Sequence, residues 1–186
     1  TAINSGLAVG TYFVTITDAL GCSDTTSIII TQPNLLTATY QIQKPSCYGY
    51  SDGQITINVT GGTGTYNYQW STLNNNSNYL TNISSGIYTI TITDSNLCQI
   101  HLTIDLHEPD PLILNLQSIK DITCYGYSNG FAIVNASGGT TPYNYSWIGI
   151  SNYSLAAYNL NAGTYNVDVI DANGCTNNLQ LTINEP

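Results

Sequence analysis

Short stretches in which apolar and polar residues alternate run along the whole chain, and turn residues separate them. The clearest stretch covers residues 86–94, where Tyr88, Ile90 and Ile92 alternate with threonines. Side chains two positions apart lie on one face of a β-strand, so this pattern predicts a half-buried strand. Similar alternation marks residues 55–59, 66–70 and 102–106. Since no stretch has a helical period between these segments, the sequence predicts an all-β fold.

The strand pattern repeats, and the repeat divides the chain. Matched positions lie 77 residues apart, namely Cys47 with Cys124, Trp70 with Trp147, Tyr88 with Tyr165, Asp94 with Asp171 and Cys98 with Cys175. Residues 10–33 match residues 86–109 at an offset of 76. We therefore predict that residues 1–33 are the C-terminal part of a preceding repeat whose other strands lie upstream. Residues 34–109 and 110–186 are predicted to be complete β-sandwich repeats.

The predicted architecture is a tandem array of immunoglobulin-like β-sandwiches. Six or seven short strands per repeat, Gly-rich turns and one tryptophan per repeat are typical of that fold. The expected core residues are the two tryptophans, Trp70 and Trp147, and the tyrosines of the strand that starts at residue 86 and of its counterpart in the second repeat, Tyr88 and Tyr165.

Composition and charge exclude several classes of function. Only Lys44 and Lys120 are basic and the formal net charge is -9, so no basic surface is available for a nucleic acid backbone. No apolar run approaches the roughly 18 residues of a membrane span. The chain has no arginine and no supported Ser/His/Asp arrangement. Its carboxylates do not pair in a way that recurs between repeats, so neither an enzyme nor a bound cofactor is expected.

Five cysteines at matched positions indicate disulfides formed in an oxidising compartment, and hence an exported protein. Pairing within each repeat would join Cys47 to Cys98 and Cys124 to Cys175, leaving Cys22 unpaired within this chain. Pairing between repeats would instead join Cys22 to Cys47 and Cys98 to Cys124. Buried free thiols are a third possibility.

The number of strands between two cysteines bears on the choice of pairing. An even number of antiparallel strands returns the chain to the same end of a sandwich, and four strands are predicted between Cys47 and Cys98. This count favours pairing within the repeat. A fifth strand would place the two sulfurs a strand length apart, about 25–30 Å, and would prevent the bond.

Two sets of polar residues are candidate metal ligands. His101, Asp105 and His107 share one face of the last strand, but residues four apart on a strand are about 13 Å apart. The second repeat has asparagines in place of both histidines, so we interpret these positions as solvated and expect no metal.

The second set consists of acidic residues at the ends of strands and at the joint between repeats. We expect Asp18, Asp94 and Asp171 to accept backbone N–H bonds and close the following turn. Calcium held by carboxylates is the alternative, with Asp105, Glu108 and Asp110 at the joint between repeats as the best cluster.

Paired tyrosines follow the first cysteine of each repeat, at Tyr48 and Tyr50 and at Tyr125 and Tyr127. We expect them to cover the edge of a small core. A platform on which sugar rings stack is the alternative interpretation.

Several strings of residues resemble a known family. They are Cys47-Tyr-Gly-Tyr-Ser-Asp-Gly53, Gly61-Gly62, Tyr66-Asn-Tyr-Gln-Trp70, Asp94-Ser-Asn-Leu-Cys98 and Glu108-Pro109, with counterparts in the second repeat. Together they resemble the SprB-type repeat of very large surface adhesins of bacteria that glide over solid surfaces. One departure is Leu97, where the second repeat has Gly174, so the first of these turns is expected to differ in shape.

The resemblance implies a cell-surface protein secreted through the type IX route and carried by a motility machine, with no catalytic residues. On this basis the repeats are expected to be structural spacers of an adhesin filament used in gliding motility and surface attachment. The alternative is that each repeat binds polysaccharide. Expected partners are neighbouring repeats of the same chain, surface polysaccharide and the motility machinery. Asp24-Thr25-Thr26 resembles an O-glycosylation sequence of the same bacterial group, so Thr25 is a candidate modification site.

Overall fold

The computed structural model describes residues 3–71 and 75–186, so residues 1 and 2 of the predicted 1–33 segment lie outside it. Fourteen β-strands form in the described part of the chain. They are β1 (Gly10–Thr17), β2 (Ser23–Ile30), β3 (Thr37–Gln43), β4 (Gly53–Thr60), β5 (Asn67–Trp70), β6 (Tyr79–Ile83), β7 (Gly86–Thr93), β8 (Gln99–Leu106), β9 (Ile113–Lys120), β10 (Gly130–Ser137), β11 (Asn144–Trp147), β12 (Ala156–Leu160), β13 (Gly163–Ile170) and β14 (Thr176–Ile183).

Two sandwiches of six strands each follow a two-stranded hairpin. The first sandwich stacks the sheet β3-β4-β6 on the sheet β5-β7-β8, and the second stacks β9-β10-β12 on β11-β13-β14. All pairings are antiparallel, as short connections between neighbouring strands require. No helix among the described residues is long and apolar enough to cross a membrane.

Each sandwich has two ends, which we name after a residue of the first sandwich. The Cys47 pole contains the loop before β4 and the β6–β7 turn, joined by a hydrogen bond of 2.9 Å between the Ser51 and Ser84 hydroxyls. The Asp94 pole contains the β4–β5 and β7–β8 turns, joined by a bond of 2.9 Å from Thr63 N to Asp94 Oδ2. The corresponding ends of the second sandwich are the Cys124 pole and the Asp171 pole.

The inward-facing residues of both sheets form the cores, as the alternating pattern predicts. Trp70 and Trp147 are 4% and 2% exposed, and each indole N–H donates to a backbone carbonyl, of Ser77 and Ser154 respectively. Burial of this polar atom is therefore satisfied. The rings of Tyr88 and Tyr165 pack on the same cores but remain partly exposed.

One extra residue accounts for the difference between the two repeat offsets. Strand β3 pairs with β4 without interruption, whereas in β9 the residues Leu116 and Ser118 pair with the consecutive residues Val134 and Ile133. Gln117 is therefore the additional residue of a β-bulge. A bulge absorbs one residue without turning the rest of the strand over, so the inward-facing positions stay aligned on both sides of it.

The hairpin β1–β2 has the strand lengths of β7–β8 but lacks a facing sheet in the described chain. Val14 and Ile16 are 43% and 68% exposed, whereas their counterparts Ile90 and Ile92 are buried in the first sandwich. The Tyr12 hydroxyl donates to Ala8 O at 3.0 Å, which matches the bond from Tyr88 to Ser84 O. The local structure of the hairpin therefore forms without the core that covers the equivalent strands.

Candidate functional site: the joint between the sandwiches

A disulfide joins the two sandwiches end to end. It links Cys47, in the loop before β4, to Cys175, in the turn before β14, with 5.7 Å between the Cα atoms. Both residues are buried, and Cys47 belongs to the apolar cluster of the second sandwich. The Cys47 pole of the first sandwich therefore meets the Asp171 pole of the second.

This bond corrects the pairing favoured from the sequence. Neither Cys47–Cys98 nor Cys124–Cys175 forms, and the alternative pairs Cys22–Cys47 and Cys98–Cys124 do not form either. The thiols of Cys22, Cys98 and Cys124 are free and exposed. Cys22, which pairing within each repeat would leave alone in this chain, thus has the same state as Cys98 and Cys124.

The parity argument failed because two of the four strands are short and run in the same direction. Strand β5 pairs with the second half of β7, and β6 pairs with the first half of β4. From the Asp94 pole, the chain thus runs halfway along one sheet as β5, crosses to the other sheet and continues in the same direction as β6. Four strands make only three passages between the poles, which puts Cys47 and Cys98 at opposite ends of the sandwich.

An asparagine also bonds across the joint. The Asn173 side chain amide donates to the carbonyl oxygen of Ser46 at 2.9 Å and to the hydroxyl of Thr140 at 3.1 Å. Ser46 directly precedes Cys47, so the hydrogen bond and the disulfide hold the same loop. The sequence analysis missed Asn173. Its signal was the asparagine two positions after the turn aspartate in both repeats, Asn96 and Asn173.

Asp171 shapes the turn that presents both joint residues. Its Oδ1 accepts the backbone N–H groups of Asn173 and Cys175, each at 2.9 Å, and its Oδ2 accepts that of Thr140 at 2.7 Å. Asp94 makes the same three kinds of bond in the first sandwich, and Asp18 closes the hairpin turn. These carboxylates therefore close turns, as the sequence predicted.

The bonds to Asp94 affect its acidity. Burial opposes the charged form of this carboxylate, but the N–H groups of Cys98, Thr63 and Asn96 outweigh burial and lower its pKa below the usual value.

Leu97 does not change the shape of its turn, contrary to the expectation. Leu97 and Gly174 both have positive φ, 66° and 86°. Their backbone N–H groups bond to Asp94 O and Asp171 O at 3.0 and 3.1 Å. Leu97 adopts the left-handed conformation because the same carboxylate bonds hold the turn on both sides.

The loop that carries Cys47 is held by two acidic residues. Glu108 Oε2 accepts the Gly49 N–H at 2.6 Å, and Asp52 accepts both the hydroxyl and the N–H of Ser46. The Ser46 hydroxyl bond, followed by the Ser46 N–H bond, lowers the pKa of Asp52. The Glu108 bond thus connects the Cys47 loop to the segment between β8 and β9, which links the two sandwiches.

The structure does not gather the candidate metal ligands. Among the residues of 3–71 and 75–186, no group of three or more His, Cys, Asp or Glu side chains is arranged to hold a metal ion. His107 and Asp105 form a solvent-exposed pair at 3.2 Å, and His101 bonds to the Thr91 hydroxyl. Glu108, the central member of the proposed calcium cluster, is engaged by Gly49.

The paired tyrosines lie at the Cys47 and Cys124 poles. Tyr48 and Tyr50 are 58% and 54% exposed, and together with Pro111 and Leu112 they line a cavity of 210 Å³ beside the disulfide. Tyr125 is 81% exposed. Tyr48 and Tyr50 therefore border the joint, whereas Tyr125 and Tyr127 lie at the other end of the second sandwich.

Thr25 lies on β2 at an exposed position. Its hydroxyl shares a hydrogen bond of 2.9 Å with that of Thr15 on the neighbouring strand. Glycosylation of Thr25 stays a prediction.

Comparison with known proteins supports the resemblance seen in the sequence. The family model described as SprB repeat matches residues 39–75 and 116–152, which confirms the resemblance. Each match runs from the first strand of a sandwich past its tryptophan. No curated protein sequence matches the chain closely enough to count as a relative.

Solved structures overlay on this chain, and the first of them, with a TM-score above 0.5, supports the all-β fold. The three N-terminal domains of the bacteriophage RB49 Highly Immunogenic Outer Capsid protein (Hoc) overlay with a TM-score of 0.56 at 16% identity, over 80% of this chain. The chain spans 59% of the length of that fragment. A C-terminal intimin fragment in complex with the intimin-binding domain of its translocated receptor gives 0.40, at 15% identity over 83% of this chain and 65% of that one. The N-terminal eight Ig domains of Down Syndrome Cell Adhesion Molecule give 0.38, at 15% identity over 95% and 27%.

Proposed function

We propose, from the premise that the chain carries two copies of the SprB repeat, that its repeats are structural spacers of a long cell-surface adhesin used in gliding motility and surface attachment. In this proposal the repeats place a distal adhesive region away from the cell. Residues 34–109 and 110–186 are the two complete units, and residues 1–33 end the unit before them.

The observation that carries the proposal is the end-to-end joint. A spacer must transmit orientation and load from one unit to the next, and here consecutive units are connected by the polypeptide, by the Cys47–Cys175 disulfide and by the Asn173 hydrogen bond. Units that contact only their neighbours and repeat one interface give a quasi-one-dimensional rod. The disulfide also favours an extracellular location, since such bonds persist in oxidising compartments.

Polysaccharide binding by each repeat is the second candidate. It is favoured by the exposed tyrosines of the two cysteine loops, above all Tyr125 at 81% exposure. Aromatic rings at such positions offer flat apolar faces to sugar rings. The two candidates differ in whether an isolated pair of repeats has a ligand of its own.

The test uses the oxidised 186-residue chain in two measurements. For a spacer we expect no binding on an array of bacterial and algal polysaccharides, and an elongated X-ray scattering profile. The matched variant Tyr125→Ala/Tyr127→Ala should leave both results unchanged. Saturable binding that this variant abolishes would favour the polysaccharide-binding candidate, and a compact scattering profile would contradict an end-to-end rod.

A further inference from the structure

The Asp94 pole of the first sandwich carries an unused copy of one side of the joint. Cys98 occupies the position of Cys175, in a turn closed by Asp94 as the other is closed by Asp171. The Asn96 amide donates to the Thr63 hydroxyl at 3.2 Å, as the Asn173 amide does to that of Thr140. Asn173 has a further acceptor in Ser46 O, across the joint. The side chains that receive a neighbouring loop are therefore already placed around Cys98.

The Cys124 pole of the second sandwich carries an unused copy of the other side. The N–H of Tyr127 bonds to Cys124 O at 3.1 Å, which is the distance between Tyr50 N and Cys47 O. Gly126 N donates to Glu185 as Gly49 N donates to Glu108. The loop around Cys124 thus has the same hydrogen bonds as the loop around Cys47, but no other sandwich of the described chain packs against it.

Solvent exposure distinguishes the two bonded cysteines from their free counterparts. Cys47 and Cys175 are 5% and 8% exposed, whereas Cys98 and Cys124 are exposed. Tyr48 and Tyr125 are equivalent, yet they are 58% and 81% exposed. Two preformed and complementary surfaces, each with a free thiol, lie at opposite ends of the joined pair of sandwiches.

We propose that Cys98 and Cys124 are half-cystines of further joints of the Cys47–Cys175 type, and that their partners belong to further copies of this repeat. Cys124 bonds the counterpart of Cys175 in a following repeat, and Cys98 bonds the counterpart of Cys47 in a preceding one. Cys22 has the same role one repeat earlier, because its turn is closed by Asp18 in the same way.

Each new bond is an oxidation of two thiols. The Sγ–Sγ bond forms as two S–H bonds are lost, and the two electrons and two protons pass to a small-molecule disulfide, which is cleaved to two thiols. Outside the cytoplasm an exported chain meets oxidising conditions, in which disulfides form and persist.

The proposed bonds overlap along the chain. The existing disulfide closes a segment whose ends are 128 positions apart, which is longer than one repeat. The bond from Cys124 starts inside that segment, so consecutive disulfides interleave and every complete internal repeat takes part in two of them. The shortest covalent path through an array then crosses every second disulfide and follows only the 26 positions between cysteines such as Cys98 and Cys124.

The experiment compares this chain with an extended chain in which a second copy of residues 110–186 follows Pro186. Both are refolded with a mixture of oxidised and reduced glutathione, alkylated, and mapped by non-reducing peptide mass spectrometry. The 186-residue chain should contain Cys47–Cys175 and three alkylated cysteines. The extended chain should contain one additional disulfide, from Cys124 to the appended counterpart of Cys175, and again three alkylated cysteines.

The variant Cys124→Ser in the extended chain is the control. It should lose the additional disulfide, keep Cys47–Cys175 and leave the appended counterpart of Cys175 alkylated. A bond between the two appended cysteines, a Cys98–Cys124 bond, or a Cys124 that stays alkylated in the extended chain would overturn the proposal. The thiol count does not depend on ligand binding, so it is independent of the test between spacer and polysaccharide-binding module.

Discussion

Asp94 and Asp171 show how much one side chain decides at the residue scale. Each ends a strand, accepts three backbone N–H groups and sets the position of a cysteine four residues later. An aspartate followed by a short turn is a local pattern, so the sequence predicted the turn correctly. Which partner the presented cysteine meets is not local, and there the prediction failed.

The first prediction concerns the charge of Asp94. Its pKa is lower in the folded chain than in the unfolded one. The ionised carboxylate therefore contributes stability above the unfolded pKa of about 3.9, and this contribution is lost as the pH falls through the folded value. We expect Asp94→Asn to destabilise the first sandwich at pH 7 and to cost less at pH 3.

Urea unfolding at both pH values checks this, with Trp70 fluorescence as the signal in a Trp147→Phe background. Asp105→Asn is the control, because it removes the same charge from an exposed position of β8. An Asp94→Asn penalty as large at pH 3 as at pH 7 would contradict the role assigned to the charge.

At the scale of single elements, period and turn residues determined the strands, while strand direction depended on the crossing between sheets. The alternation around Tyr88 and Trp70 predicted strands that the structure contains as β7 and β5. No periodicity reveals that β5 and β6 are half-length and run the same way, because that direction follows from which sheet each one joins. The bulge at Gln117 was visible only as a change in the repeat offset from 76 to 77.

The second prediction concerns the turn between β10 and β11. Gly138 and Gly149 both have positive φ, 73° and 89°, and both lie in the second sandwich. A Cβ on Gly138 would overlap the carbonyl oxygen of Pro111, whereas a Cβ on Gly149 would meet nothing within 4 Å. Each alanine variant incurs about 1–2 kcal/mol for the left-handed conformation. Gly138→Ala adds a steric conflict, for a total of about 3 kcal/mol.

Chemical denaturation followed by Trp147 fluorescence, in a Trp70→Phe background, measures both variants. The informative quantity is the difference between them, since the conformational cost is shared. Equal losses of stability would show that the turn moves away from Pro111 without cost.

At the scale of the whole molecule, the joint makes two sandwiches into one mechanical unit. The disulfide connects Cys47 of the first sandwich to Cys175 of the second at the joint, so a force applied to the two ends of the chain bypasses the residues between them. Overlapping bonds of this kind would limit the extension of an array even after its sandwiches unfold. This property suits the proposed spacer function and requires no ligand.

The third prediction is an extension length. When the ends of the oxidised chain are pulled until both sandwiches unfold, the 128 positions between the bonded cysteines should not contribute to the contour length. Cys47→Ser should lengthen the fully extended chain by about 460 Å, at 3.6 Å per residue.

Single-molecule force spectroscopy under non-reducing conditions gives both lengths. Cys124→Ser serves as the control, because it removes a cysteine that is free in this chain and should keep the short extension. Equal extensions of the unchanged chain and Cys47→Ser would show that the joint is not covalently closed.

The sequence by itself determined the strands, the repeat, the all-β sandwich and the turns closed by aspartate. These features depend on residues near one another along the chain, where side-chain period and turn chemistry act directly. Only the tertiary structure decided which two cysteines form a bond. That choice depends on the direction of β5 and β6 and on which pole of one sandwich meets the next, and both are set by packing between segments far apart in the chain. The five cysteines that indicated disulfides within each repeat thus form one bond between repeats, and the other three remain free.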